Sequence, residues 1–295
     1  MPNPASSSAR RHLLGGSLAA ALSGLNSVLA GAAPARRMPV LFVGHGSPMN
    51  AITDNGFARF LTGWGRNLPR PSAILVVSAH WQTNGDTLVG AQARPQTIHD
   101  FGGFPRELHE MQYPAPGAPD LARRAAGLVR QGKGVATQEW GLDHGTWTVL
   151  HRLYPKADVP VFQVSIDYTR NAAFHYAIGR ELAALRDSGV LIIGSGNVVH
   201  NLGATMRGAP DSMAASAPWA QQFDAAVGKA LAGRDDRALV RYEQLPGAGM
   251  AVATPDHYFP LMYALGAASE SEEVRTLYTG FQAGTLSMRC LQAGA

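Results

Sequence analysis

The 295-residue sequence contains one cysteine, Cys290. An intramolecular disulfide is therefore impossible and a multi-thiolate metal site is excluded, so stability has to come from a packed core and any metal from other ligands. Charge is sparse as well, at 16% of residues, and acid is missing altogether from residues 1–37, which carry Arg10, Arg11, Arg36 and Arg37. Taking those four away from the 25 Lys and Arg leaves as many bases as the 21 acids. The net charge of +4 thus belongs to the N-terminal segment, and the neutral body lacks the basic stripe that a phosphate backbone requires, which argues against nucleic acid as a partner. Long apolar runs are missing too. Residues 13–30 are diluted by Gly15, Gly16, Ser17, Ser23, Gly24, Asn26 and Ser27 and read too weakly for a membrane anchor. What remains suffices for one large core, because 46% of the chain is hydrophobic.

Arg10-Arg11, the weak apolar run after them and the small residues Ala30-Gly31-Ala32 have the layout of an export signal and resemble the twin-arginine type. Residues 1–37 are therefore expected to engage the export machinery and to direct a periplasmic or otherwise exported protein. A leader without function would leave it cytoplasmic.

Beyond residue 37, runs rich in Val, Ile, Leu and Phe alternate with helical patterns. Residues 38–43, 73–78, 159–166 and 190–194 read as buried strands bounded by Gly, Pro or Ser. Asn171 can cap a helix with Phe174, Ile178, Leu182 and Leu185 on one face, ending near Gly189, and residues 120–130 and 220–231 read similarly. Residues 87–90, 276–278 and 285–289 are candidate edge strands. The expected fold is α/β, with residues 38–295 as a single domain, a mostly parallel central sheet and helices on both faces. Residues 94–119 hold five prolines with Phe101, Phe104 and Tyr113, and are a candidate lid or pocket wall.

The histidines carry the functional signal. His45 follows the first strand in Gly44-His45-Gly46-Ser47-Pro48, His80 follows the second in Ser78-Ala79-His80-Trp81, and His200 follows Gly194-Ser195-Gly196-Asn197-Val198-Val199. In open α/β sheets the carboxyl ends of the strands are where ligands bind, so residues distant in sequence converge there. His257, in Pro255-Asp256-His257-Tyr258, begins a helix-like segment and can close the group. Imidazoles suit a single non-haem divalent metal, Zn²⁺ or Fe²⁺. Each histidine also has a plainer reading, as a hydrogen-bonded loop residue at a strand end.

Six motifs, taken together and in order, resemble the DOPA 4,5-dioxygenase family of the class III extradiol ring-cleavage dioxygenases, related to the catalytic subunit of protocatechuate 4,5-dioxygenase. They are Gly44-His45-Gly46-Ser47-Pro48, Ser78-Ala79-His80-Trp81, His99-Asp100-Phe101-Gly102-Gly103-Phe104-Pro105, Gly141-Leu142-Asp143-His144-Gly145-Thr146-Trp147, Gly196-Asn197-Val198-Val199-His200-Asn201 and Pro255-Asp256-His257-Tyr258-Phe259-Pro260. The resemblance runs from about Met38 to the C-terminus. It implies an extradiol dioxygenase domain with one non-haem metal, Fe²⁺ for activity or Zn²⁺ as bound metal, that inserts O₂ into a catechol-type, DOPA-like aromatic and gives a ring-opened semialdehyde.

By the same resemblance His45, His80 and His257 are metal ligands, and His200 is either a fourth ligand or the acid/base. His144 matches a histidine that either faces the substrate or stands behind the ligands, with Asp143 as a candidate to orient it. In the protocatechuate branch a Glu stands where this sequence has His257, so one negative charge is removed from the metal. His99 and Trp81 are candidate substrate contacts, with a loop-fixing hydrogen bond and core burial as their alternatives; Trp147 invites the same comparison. Ser47 is expected to fix its turn. A zinc hydrolase or a non-catalytic metal-binding protein on the same fold stays open, although no HExxH arrangement is present and no Glu adjoins the four clustered histidines.

Overall fold

A computed structural model describes residues 37–294, apart from 207 and 209–214. The expected export signal lies almost entirely outside the described residues. The strands in chain order are β1 (Val40–Gly44), β2 (Ala73–Thr83), β3 (Asp86–Gly90), β4 (Lys133–Thr137), β5 (Val161–Asp167), β6 (Val190–Gly196), β7 (Val274–Tyr278), β8 (Phe281–Gln282), β9 (Leu286–Ser287) and β10 (Cys290–Ala293). The helices are α1 (Gly56–Asn67), α2 (Arg106–Glu110), α3 (Pro119–Leu128), α4 (His144–Leu153), α5 (Ala172–Leu182), α6 (Pro218–Ala232), α7 (Asp236–Val240), α8 (Ala248–Ala251) and α9 (Phe259–Ala267). No helix among the described residues is long and apolar enough to cross a membrane.

Eight strands form one sheet in the order β4-β3-β5-β2-β6-β1-β10-β7. The centre, β5-β2-β6-β1, is parallel throughout, and β1-β10 and β10-β7 are antiparallel. The central strands are apolar without interruption because both faces are covered. Val40, Phe42, Leu75, Val77 and Ile192 point to a core built with α3, α5, α6 and α9. Leu41, Val43, Ile74, Val76 and Ile193 point the other way, onto α1 and α4. Alternation along each strand thus supplies two cores from one run of sequence.

The margins of the sheet depart from the sequence expectations. Residues 87–90 lie within β3, which is interior, because β4 covers it. β4 reads Lys-Gly-Val-Ala-Thr and buries no residue fully, so an exposed edge left no apolar signature. Of residues 285–289 only Leu286–Ser287 is strand, paired with β8 in a small hairpin, and the strand that enters the main sheet is β10. Arg289, between them, is buried against Asp224. α5 begins at the expected Asn171 cap, but Phe174 is only half-buried and His175 is fully buried in its place.

Candidate metal centre

β2, β6 and β1 are neighbours, and their carboxyl ends bring His80, His200 and His45 to one place. Each arrives differently. Gly44 ends β1, and Gly46 at φ +59° turns the chain away so that Ser47 can cap the following turn through its hydroxyl, as expected. A Cβ at Gly46 would lie 2.3 Å from Gln282 Oε1.

His80 is not beyond β2 but within it. Val77 pairs with Val164 and Gln82 with Ile166, so five steps on β2 oppose two on β5. The surplus residues form a bulge that carries His80 out of the ladder toward the site. His257 sits in a 3₁₀ turn before α9, and Gly196 lets that turn approach, since a Cβ there would lie 2.2 Å from His257 O. His144 is the first residue of α4, capped by the buried Asp143.

The rings of His45, His80 and His257 form a nearly equilateral triangle, with centroids 5.1, 5.3 and 5.1 Å apart. One ligand atom from each lies within 4.8 Å of the other two. Every Nδ1 of the three has a partner. That of His45 is 3.1 Å from Ser195 Oγ, whose own hydrogen goes to Gly145 O. That of His257 donates to Asp256, and that of His80 faces Asp100 Oδ2 at 3.5 Å. With the hydrogens at Nδ1 the lone pairs are at Nε2, and the Nε2 atoms of His45 and His80 are 3.2 Å apart. Two acceptors at that distance repel unless a cation joins them, and imidazoles on a tetrahedral metal with bonds of ~2.1 Å have their nitrogens about 3.4 Å apart. The donor set therefore fits a divalent metal.

Electrostatics agree. Burial, and then the neighbouring imidazoles, hold His45 and His80 well below the ordinary histidine range, so both are neutral at neutral pH. Burial opposes ionisation of Asp256, but its hydrogen bond to His257 prevails and brings its pKa down to about 2. An ionised carboxylate thus stands directly behind His257.

His200 is beside this triangle, not part of it. Its ring is stacked on that of His257 at 3.4 Å and 3°. In-plane lone pairs of parallel rings do not converge, so the expectation of a fourth ligand is not met by this arrangement. Burial, followed by the nearby His257, lowers its pKa to about 3. Asp143 does not orient His144 either. Its carboxylate accepts from Ser78, Gln163, Trp140 and the Thr146 N–H. Asp100 takes the role, accepting from His144 Nδ1 at 3.0 Å and from its backbone N–H at 2.9 Å. Sequence reasoning missed Asp100 and Asp256, though each adjoins a singled-out histidine in a chain poor in acid.

A cavity of about 520 Å³ opens over these groups, lined by the five histidines and by Phe101, Phe104, Leu202, Met206 and Leu286. The two Phe come from the expected pocket wall. Trp81 and His99 are not among its lining residues, which corrects their expected substrate contacts. Trp81 stacks on Trp140 at 5.8 Å, and His99 Nε2 pairs with Met111 O at 2.9 Å, fixing the loop. Trp147 is fully buried, its indole donating to Ile98 O.

Comparison with known proteins agrees with this geometry. Residues 39–287 match the family model described as the catalytic LigB subunit of aromatic ring-opening dioxygenase. The 4,5-DOPA dioxygenase extradiol of Escherichia coli K12 is 47% identical over 262 residues, covering 88% of this chain and 95% of that protein. The protein of the same name from Beta vulgaris is 39% identical, covering 83% and 92%. A crystal structure of an uncharacterised Escherichia coli K12 protein superposes with a TM-score of 0.75 at 42% identity, covering 88% of this chain and all of that one. Dioxygenases of this family use a non-haem metal and act on an aromatic substrate with O₂. The chain belongs to the LigB family of aromatic ring-opening dioxygenases and is a metal-dependent ring-cleavage oxidoreductase.

Proposed function

We propose that the protein opens the ring of a 4-substituted catechol with Fe²⁺ held by Nε2 of His45, His80 and His257. The observation that carries this reading is the convergence of three imidazoles, two of them hydrogen-bonded through Nδ1 and the third facing Asp100, beneath a cavity with aromatic walls. Bound there, Fe²⁺ supplies the redox chemistry between the diol and O₂ that zinc does not supply.

The chain's own residues do the rest. Phe101 and Phe104 wall the ring and exclude water from the reacting face. His200, kept unprotonated, receives a diol proton, and the charge of the incoming diol offsets the burial that depresses its basicity. His144, with its hydrogen on Nδ1 toward Asp100, presents an Nε2 lone pair to the substrate. The name shared by the bacterial and plant relatives makes DOPA the first substrate to try.

The test is anaerobic loading with Fe²⁺ or Zn²⁺, then addition of DOPA, catechol, protocatechuate or caffeate with O₂. Oxygen uptake and a yellow semialdehyde are expected with iron only. Activity confined to the zinc form, or no uptake on any catechol, would overturn the reading. Residues 1–37, with Arg10-Arg11 and no acid, support export by the twin-arginine route. Lysine at both arginines should keep the precursor in the cytoplasm, and an uncut wild-type protein found there would contradict export.

A further inference from the structure

We propose that Asp100 is the positioning residue of this site, one carboxylate that holds both a metal ligand and the substrate-facing histidine and ties them to the aromatic wall of the cavity. Its Oδ2 lies 3.0 Å from His144 Nδ1 and 3.5 Å from His80 Nδ1, and its Oδ1 accepts the His144 backbone N–H at 2.9 Å. No other carboxylate among the described residues faces two of the clustered histidines at these distances.

Geometry fixes Asp100 firmly enough for the task. The preceding loop is laced to the start of α4, with Ile98 N–H donating to Leu142 O and Leu142 N–H to Gln96 O, both at 2.7 Å. Phe101, the next residue, sets its ring edge-on to His144 at 5.5 Å. A shift of Asp100 would therefore move three things together: the ring plane of His80, the tautomer of His144 and the wall against which a substrate ring rests. By accepting from Nδ1, Asp100 dictates that neutral His144 keeps its lone pair at Nε2, on the cavity side. The other acid nearby, Asp143, has its oxygens committed to Ser78, Gln163, Trp140 and the cap of α4.

The experiment compares Asp100→Asn and Asp100→Ala with the unaltered protein, each also in a His144→Ala background. Zn²⁺ affinity and stoichiometry are read by calorimetry, and kcat and KM on whichever catechol is turned over. Asn preserves shape and one acceptor, so it decides the matter if Ala fails to fold. Metal affinity should fall about tenfold in both backgrounds, because that effect runs through His80, with one equivalent still bound. The value of kcat should fall about tenfold with little change in KM, and this loss should shrink severalfold when His144 is already absent. An equal kcat loss in both backgrounds would overturn the proposal, as would unchanged metal affinity or a second zinc equivalent that Asp100→Asn abolishes. The kinetic arm rests on the catechol reading, whereas the metal arm stands without it, so the failure of one is distinguishable from the failure of the other.

Discussion

At the scale of single residues, the site separates histidines that hold from histidines that face. His45, His80 and His257 each bring a ligand atom within 4.8 Å of the other two, while His200 lies flat against His257. His45→Ala and His80→Ala should therefore each abolish metal binding, and His200→Ala should retain one equivalent while losing turnover; metal analysis of the purified variants checks this. Asp256→Asn removes the charge behind His257 and should weaken metal binding about tenfold, read by competition with a chelating dye. An unchanged affinity would mean that the carboxylate serves only the turn. The clustering of these histidines was legible in the sequence, because each stands in a short motif, with those of His45 and His80 at the end of an apolar run. Asp100 was not, because its partner His144 is 44 residues away and the nearer acid, Asp143, was the obvious candidate. Sequence adjacency misled where a helix cap claimed the side chain first.

At the scale of elements, α9 places His257, and its own position depends on glycines at its contacts. A Cβ at Gly179 of α5 would lie 2.4 Å from Tyr263 O, and one at Gly194 of β6 would lie 2.3 Å from Pro260 O. In both cases the obstacle is backbone, which cannot rotate aside. Gly179→Ala should destabilise the fold by about 2 kcal/mol or more, measured by urea unfolding, and should weaken metal binding as α9 is pushed away. Normal stability with normal metal affinity would show that the helices separate freely. Strands β1, β2, β5 and β6 were legible for the reason that makes α9 fit so closely: they are buried on both faces, and burial writes an unbroken apolar run. β4 is exposed and β10 is short, and neither leaves such a trace.

At the scale of the whole molecule, acid sensitivity has a source remote from the metal. His175 is fully buried against Phe259 and Tyr263, and burial lowers its pKa from 6.5 to about 4. Between those values the unfolded chain binds a proton that the folded chain refuses, so this contribution is complete above pH 6.5 and is lost as pH falls toward 4. At pH 5 the loss is about 2 kcal/mol. Tyr263 also donates to Ser165 O, so it keeps a partner in His175→Leu. Between pH 7 and 5 the metal-free variant should lose about 2 kcal/mol less than the unaltered protein, as read from urea midpoints. Equal losses would place the proton elsewhere.

The pairing of β1 with β10 bears on how the molecule comes into being. Val40 faces Ala293, so the strand that delivers His45 waits for a neighbour made more than 250 residues later. During synthesis β1 can find β6 beforehand, but its other edge stays open until β10 has emerged. A ribosome-bound fragment lacking β10 would have His45, His80 and His257 all translated and yet lack the strand that closes β1. Completion of the centre therefore waits for β10, and a pulse of radioactive metal should label chains that include β10 while leaving those stalled before it unlabelled.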